Sequence, residues 1–181
     1  QLRISYRPLG VVGIIIPWNF PLQFAVSQPV QALLAGNAVL LKPSEATPFS
    51  ALFIEKIFHD AGVPKDVFQV LTGDGQTGAA LLEAGVDKIS FTGRVRTGRK
   101  VGEICGRNLI PCTLELGGKD PMIVCAYADL ERAANGAVYG SFLNAGQACC
   151  SVERIYVVES VADEFIARVM KKVATLRQGA G

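Results

Sequence analysis

Apolar and polar positions along this chain switch between two periods, and the switches mark out its elements. Residues 11–16, Val11-Val12-Gly13-Ile14-Ile15-Ile16, form an unbroken run closed by Pro17, which predicts a buried strand. Residues 21–34 show helical spacing ending at Gly36, with Pro29 expected to kink or interrupt the helix. Residues 38–42 predict a second strand. Thr47 followed by Pro48 has the form of an N-cap with proline in the first helical position. The helix they open runs to Ala61 and stops at Gly62, with Pro64 beyond. A strand over 67–71, a helix over 76–84, a strand over 88–91 and a helix over 98–106 follow. Strands are predicted over 112–116 and 122–125. Asp129 caps a helix reaching Phe142, a strand covers 154–158, and Ser160 with Asp163 opens a last helix to about Leu176.

This order is βαβαβ, repeated. It predicts an α/β fold: an open parallel sheet with helices on both faces, joined by right-handed crossovers. The predicted domain boundary is Gly117-Gly118, where two glycines after a strand allow a change of direction. That divides the chain into 1–117 and 118–181, the second part being the beginning of another α/β domain.

Composition narrows the classes. Half of the 181 residues are apolar, which excludes a disordered chain. Eighteen basic against sixteen acidic residues leave a net charge of +2, too small and too scattered for a nucleic-acid partner. No apolar run approaches the roughly 20 residues of a membrane span, and Gln1-Leu2-Arg3 does not open a signal peptide. Five cysteines without a Cys-x-x-Cys pair argue against a disulfide framework or a metal site and for a reducing compartment.

Several short segments carry candidate chemistry, and each has a plainer reading. Gly73-Asp74-Gly75-Gln76-Thr77-Gly78 matches a dinucleotide fingerprint between a strand and a helix, but after the third strand, and it is equally an ordinary glycine turn. Phe91-Thr92-Gly93, followed by Gly98, is a second such junction, and a plain strand-to-helix turn explains it. Lys42 and Glu45 at a strand end can hold hydroxyls or form a solvated charge pair. Cys149 and Cys150 cannot both face one way on a regular element, so one is free to react while the other packs. Glu115 lies in an apolar strand, where a carboxylate is expensive unless paired, with Lys119 a candidate, or functional. Asn19 can simply form a turn. His59, the only histidine, reads as a solvent-facing helix residue, which leaves a carboxylate as general base.

Five segments in this order resemble the NAD(P)-dependent aldehyde dehydrogenase superfamily: Pro17-Trp18-Asn19-Phe20-Pro21, Lys42-Pro43-Ser44-Glu45, Phe91-Thr92-Gly93, Leu114-Glu115-Leu116-Gly117-Gly118 and Gly146-Gln147-Ala148-Cys149. The resemblance implies that residues 1–117 are part of a Rossmann-like cofactor domain and that 118–181 open a catalytic domain carrying the nucleophile. It implies oxidation of an aldehyde to an acid through a cysteine thiohemiacetal and thioester. Cys149 would be the nucleophile, Asn19 the oxyanion donor and Glu115 the general base. Lys42 and Glu45 would bind ribose hydroxyls, with Ser44 beside them. Trp18, Phe91, Thr92, Gly93, Gly98 and Leu116 would line the cofactor cleft, and Gly75 would lie near the adenosine. Glu45 would repel a 2′-phosphate, which favours NAD, with NADP the alternative.

The chain also departs from the family pattern. Arg94 stands where a serine commonly follows Phe-Thr-Gly, and Tyr127 stands where a small acidic residue is usual, a surface matter. The later Glu-x-Phe-Gly-Pro segment is absent, so the chain alone is expected to be weakly active or inactive. Further expectations are a small-molecule aldehyde substrate, no nucleic-acid or membrane partner, a homo-oligomer for the full-length parent, and a cytoplasmic location. Two other readings are a non-catalytic nucleotide-binding fragment and a CoA-acylating relative. Glu115 argues against the latter, because transfer to CoA needs no hydrolytic base.

Overall fold

The continuous apolar runs become strands of a parallel sheet, because a strand covered on both faces has no polar side to present. The computed structural model describes residues 2–179 and falls into two units, Gln1–Leu116 and Gly117–Gly181. In the first unit the order is β1 (Val11–Ile15), α1 (Pro21–Leu34), β2 (Ala38–Lys42), α2 (Pro48–Asp60), β3 (Phe68–Val70), α3 (Gly75–Glu83), β4 (Lys88–Gly93), α4 (Val95–Arg107) and β5 (Cys112–Leu116). The strands pair in parallel in the order β3-β2-β1-β4-β5. The chain direction across the sheet reverses between β1 and β4, the place where open α/β sheets form a ligand crevice.

Two apolar layers hold the helices to the sheet. On one face Val12, Ile14, Val39, Leu41 and Phe68 meet Ala25 of α1 and Ala51 and Ile54 of α2. Phe68 is fully buried and stacks edge-on against Phe58, with ring centroids 4.8 Å apart. On the other face Ile89 and Phe91 meet Leu81 and Leu82 of α3 and Val101 and Cys105 of α4. Each of the buried valine, leucine, isoleucine and phenylalanine side chains contributes about 1.5–3 kcal/mol through burial.

Small residues set the closeness of α4 to β5. A Cβ on Gly98 would lie 2.5 Å from the Leu116 side chain, and one on Gly102 would lie 3.4 Å from Leu114. Two polar side chains, one buried and one exposed, fix the loops at the other end of the sheet. Asn37 is 6% exposed; its Oδ1 accepts from the Leu9 and Gly10 amides at 2.6 and 3.1 Å, and its Nδ2 donates to the Ala32 carbonyl at 2.9 Å. Asp87 Oδ2 accepts from the Val11 amide at 2.7 Å.

In the second unit, β6 (Asp120–Val124) pairs in parallel with β7 (Val152–Val157). α5 (Leu130–Phe142) and α6 (Glu159–Val173) cover them over a core of Val124, Ala134, Ala137 and Phe165. A 3₁₀ turn, Leu143–Gly146, follows α5. Asp129 caps α5, accepting from the Glu131 and Arg132 amides at 3.0 and 3.1 Å. Arg168 and Lys172 of α6 pair with Glu131 of α5 on the surface.

Several local expectations change. α1 runs unbroken through Pro29, which is itself fully buried; packing against the sheet outweighs the one backbone bond that proline removes. α4 begins at Val95 rather than at Gly98, so the exposed Val95, Arg96 and Thr97 form its first turn. Thr47 occupies the N-cap of α2 but makes no capping bond, and its Oγ1 is buried without a partner. α6 starts at Glu159 with Val158 at the N-cap, so Ser160 lies inside the helix. His59 is half-buried rather than solvent-facing: Nδ1 lies 3.0 Å from the Val63 carbonyl and the ring lies against Phe68. No helix among the described residues is long and apolar enough to cross a membrane.

Candidate active site

Parallel pairing carries the candidate residues of the first unit to one edge of its sheet. Ile15 of β1 is in register with Lys42 of β2 and with Phe91 of β4, and Gly93 of β4 is in register with Leu116 of β5. The carboxyl ends of these strands therefore deliver Trp18 and Asn19, Lys42 to Glu45, Gly93 and Glu115 along one line.

Trp18 and Asn19 occupy the bend between β1 and α1, with Trp18 42% exposed and Asn19 half-buried. Pro21 at the start of α1 and the edge-on contact of Phe20 with Phe24 hold that bend in place. The Ile16 amide donates to the Lys42 carbonyl at 3.1 Å, tying this bend to the end of β2.

Lys42 is not the solvated partner of a surface pair. Only 4% of it is exposed, and its Nζ lies 3.6 Å from Glu45, whose side chain is 67% exposed. Pro43 beside it is fully buried. Ser44 shapes the turn that follows: its Oγ accepts from the Ala46 amide at 3.3 Å and its carbonyl from the Thr47 amide at 3.1 Å.

The two glycine junctions separate on their helix starts. At α3 the Asp74 carboxylate accepts from the Gln76 amide at 2.8 Å, so the helix start is already occupied by an anion of the chain's own. A phosphate there would meet a negative charge, which a literal glycine fingerprint does not reveal. Gly75 itself is exposed. At α4 the N-cap is Arg94, which makes no side-chain cap, and no acidic residue lies in the first turn. That helix start keeps its backbone donors and its positive charge.

Phe91 and Thr92 are built into the protein rather than displayed. Phe91 is 4% exposed in the core beneath α3 and α4. Thr92 is 5% exposed, and its Oγ1 accepts from Gln28 Nε2 at 2.9 Å, while Gln28 Oε1 accepts from Ser90 Oγ at 3.1 Å. Gln28 and Ser90 were not legible as supports of this junction, because nothing in their local sequence links α1 to β4. Gly98 is buried against Leu116, and this close approach gives it a packing role.

Glu115 sits opposite Thr92 in the register of β4 and β5. It is exposed, on the face of β5 opposite Leu114 and Leu116, which pack toward α4. It therefore bears no burial cost, and Lys119 is not its partner: Lys119 pairs with Glu153 in the second unit.

Cys149 belongs to the second unit. Three consecutive residues before it, Asn144, Ala145 and Gly146, have φ of 53°, 57° and 75°, a left-handed turn that only Gly enters freely. A tight turn follows, closed by the Ser151 amide donating to the Ala148 carbonyl at 3.1 Å. Ser151 is 6% exposed and its Oγ donates to the Gly140 carbonyl at 3.3 Å, which anchors the turn to α5. Cys149 and Cys150 are the corner residues, and both are exposed; on a turn, neither is driven inward as a regular element would require. Partial burial and then the adjacent Cys150 thiol push the Cys149 thiol up, partly offset by backbone N–H bonds to its sulfur. Among the described residues no group of three or more His, Cys, Asp or Glu side chains is placed to hold a metal ion.

The model of the Aldehyde dehydrogenase family matches residues 1–181. A 4,4'-diapolycopene aldehyde oxidase of Methylomonas sp. is 48% identical over 178 residues, covering 98% of this chain and 33% of that protein. A Mycolicibacterium smegmatis protein, provisionally named a succinate-semialdehyde dehydrogenase [NADP(+)], is 45% identical over 177 residues, covering 98% of this chain and 34% of its own length. The crystal structure of PnpE, from Pseudomonas sp. WBC-3, in complex with nicotinamide adenine dinucleotide superposes with a TM-score of 0.91 at 44% identity, covering 96% of this chain and 36% of that one. The chain spans about a third of the length of the curated relatives it matches.

Proposed function

The chain belongs to the aldehyde dehydrogenase family, and from that premise we propose that it supplies the catalytic residues and part of the cofactor cleft of an enzyme that oxidises an aldehyde to a carboxylic acid with NAD. The observation that carries the reading is Lys42: a lysine only 4% exposed, its Nζ 3.6 Å from Glu45, at the carboxyl end of a central strand. A lysine enclosed there with one distant counter-charge suits a ligand rather than stability.

The residues present fit a dinucleotide. Lys42 and Glu45 would hold the adenosine ribose hydroxyls, with Ser44 shaping their turn and Gly75 beside the adenosine. Trp18 would flank the cleft, with Gly93 and Leu116 on its floor and Phe91, Thr92 and Gly98 beneath. The uncapped start of α4, with Arg94, would face the pyrophosphate. When bound, NAD supplies the hydride acceptor.

In this reading Cys149 Sγ, once deprotonated, bonds to the aldehyde carbon, and the Asn19 side-chain amide donates to the oxygen that becomes negative. Such a donor is worth about 10²–10³ in kcat. Glu115 then accepts a proton from the water that hydrolyses the acyl group on Cys149, and its exposure at a sheet edge gives that water access. Burial and the Cys150 thiol disfavour the Cys149 thiolate, so the nucleophile needs a group that takes up its proton.

Glu45 would repel a 2′-phosphate and so favours NAD. The NADP(+) in the name of the M. smegmatis relative keeps NADP as the alternative cofactor. The whole protein is proposed to act on a small-molecule aldehyde as a cytoplasmic homo-oligomer, a location supported by the cysteine usage.

Trp18 is the only tryptophan, so its emission reports the cleft directly. Titration of the chain with NAD should quench Trp18 fluorescence saturably, and Glu45→Gln should narrow the preference for NAD over NADP. Emission indifferent to NAD, with no binding by calorimetry, would remove the reading.

A further inference from the structure

We infer that Cys105 and Cys112 are a redox pair, which closes to a disulfide across the packing of α4 on β5. The register of that packing carries the inference. β5 turns Cys112, Leu114 and Leu116 to one face by its alternation, and α4 runs back across that face. The helix steps down the strand with its smallest residues: Gly98 stands against Leu116 and Gly102 against Leu114. The next turn of the same helix face is Cys105, and the next residue of the strand face is Cys112. This places the two thiols as neighbours, close enough for Cys112 to act on the ionisation of Cys105.

The connection between them keeps the pair together. The Ile110 amide donates to the Cys105 carbonyl at 2.8 Å, with Leu109 at a φ of 55°, so the helix end folds straight back into the strand. The two thiols are not equivalent. Cys105 is fully buried, and burial first, then the neighbouring Cys112 thiol, push it up to about 11. Cys112 is exposed and is the sulfur that an oxidant in solution meets.

The oxidant is a low-molecular-weight disulfide, RSSR. Cys112 gives up its proton and attacks one sulfur of RSSR; a Cys112–SR bond forms, the RS–SR bond breaks, and one RSH leaves. Cys105 then gives up its proton and attacks the Cys112 sulfur, and the second RSH leaves. Two protein thiols are oxidised and one RSSR is reduced to two RSH. In a reducing compartment the pair rests open. Closure ties the first residue of the strand that carries Glu115 to α4.

Trypsin cuts after Lys100, Arg107 and Lys119, which places the two cysteines on separate peptides, 101–107 and 108–119. The chain is incubated folded with oxidised glutathione, alkylated, digested and analysed by mass spectrometry. The expected product is the two peptides joined to each other and released by reductant. Cys112→Ser, a change at an exposed site, should leave Cys105 unmodified. Cys105→Ala should trap glutathione on Cys112. Glutathione retained on Cys112 of the unmutated chain without linked peptides would overturn the pairing. So would Cys105 of the Cys112→Ser chain joining another cysteine.

Discussion

Replacing Lys42 by methionine separates what this residue does for the fold from what it does for a ligand. Methionine keeps an unbranched stem of similar length against the same buried surroundings and removes the ammonium. In the parent this lysine is 4% exposed, and its ion-pair partner lies 3.6 Å away with a side chain 67% exposed. A contact so long, to a carboxylate so well hydrated, returns at most about 1 kcal/mol. Replacing a poorly paired buried ion with an apolar side chain of similar volume is neutral or stabilising, by up to about 1–4 kcal/mol. Lys42→Met should therefore melt at the same temperature as the parent or higher. Binding should move the other way, because a charge-assisted hydrogen bond to the ribose is worth about 1.5–3 kcal/mol, or roughly 10–150-fold in Kd for NAD. Thermal melting followed by circular dichroism gives the first quantity, and titration of Trp18 emission or calorimetry gives the second. A Lys42→Met chain that binds NAD as tightly as the parent would refute the reasoning. So would one that loses more than about 1 kcal/mol of stability, since Lys42 would then be a structural residue.

Three further outcomes follow from the same structure. Asn37→Ala removes three buried or half-buried hydrogen bonds at once and should cost about 2–4 kcal/mol in chemical denaturation at roughly 1 kcal/mol per bond; a change below about 0.5 kcal/mol would contradict it. Gly98→Val drives a branched side chain into Leu116, where even a Cβ would stand 2.5 Å away, and should cost about 2–3 kcal/mol, measured by the same denaturation. Alkylation of Cys149 by iodoacetamide should rise with pH through a titration lying above that of an ordinary thiol, because burial and Cys150 both disfavour the thiolate. Cys150→Ala removes the second of those causes and should speed alkylation at neutral pH, with peptide mapping to assign the label.

Much of the fold was legible because its signals are local. The run from Val11 to Ile16 is short, β-branched and closed by Pro17, which marked it as a covered strand, and the glycines after α1 and α2 ended those helices where they stand. The capping role of Asp129 was legible for the same reason. Long-range packing decided what sequence reading missed. Pro29 does not break α1, because the sheet holds both halves of the helix in line. Arg94 rather than Gly98 marks the entry to α4, since a helix start without a side-chain cap leaves no sequence signature. Glu115 alternates with Leu114 and Leu116 and looked costly; only the packing shows that α4 covers the leucine face and leaves Glu115 exposed.

The sequence by itself determined the alternation of strands and helices and the family, because hydrophobic period and short motifs are properties of neighbouring residues. Only the tertiary structure decided which polar groups are sealed and which are wet. It buried Lys42 at the end of β2 and left both corner thiols of the Cys149 turn exposed. The burial of Lys42 depends on the register of β2 against β1, elements separated in the chain by α1, and register is fixed by packing that no local window contains.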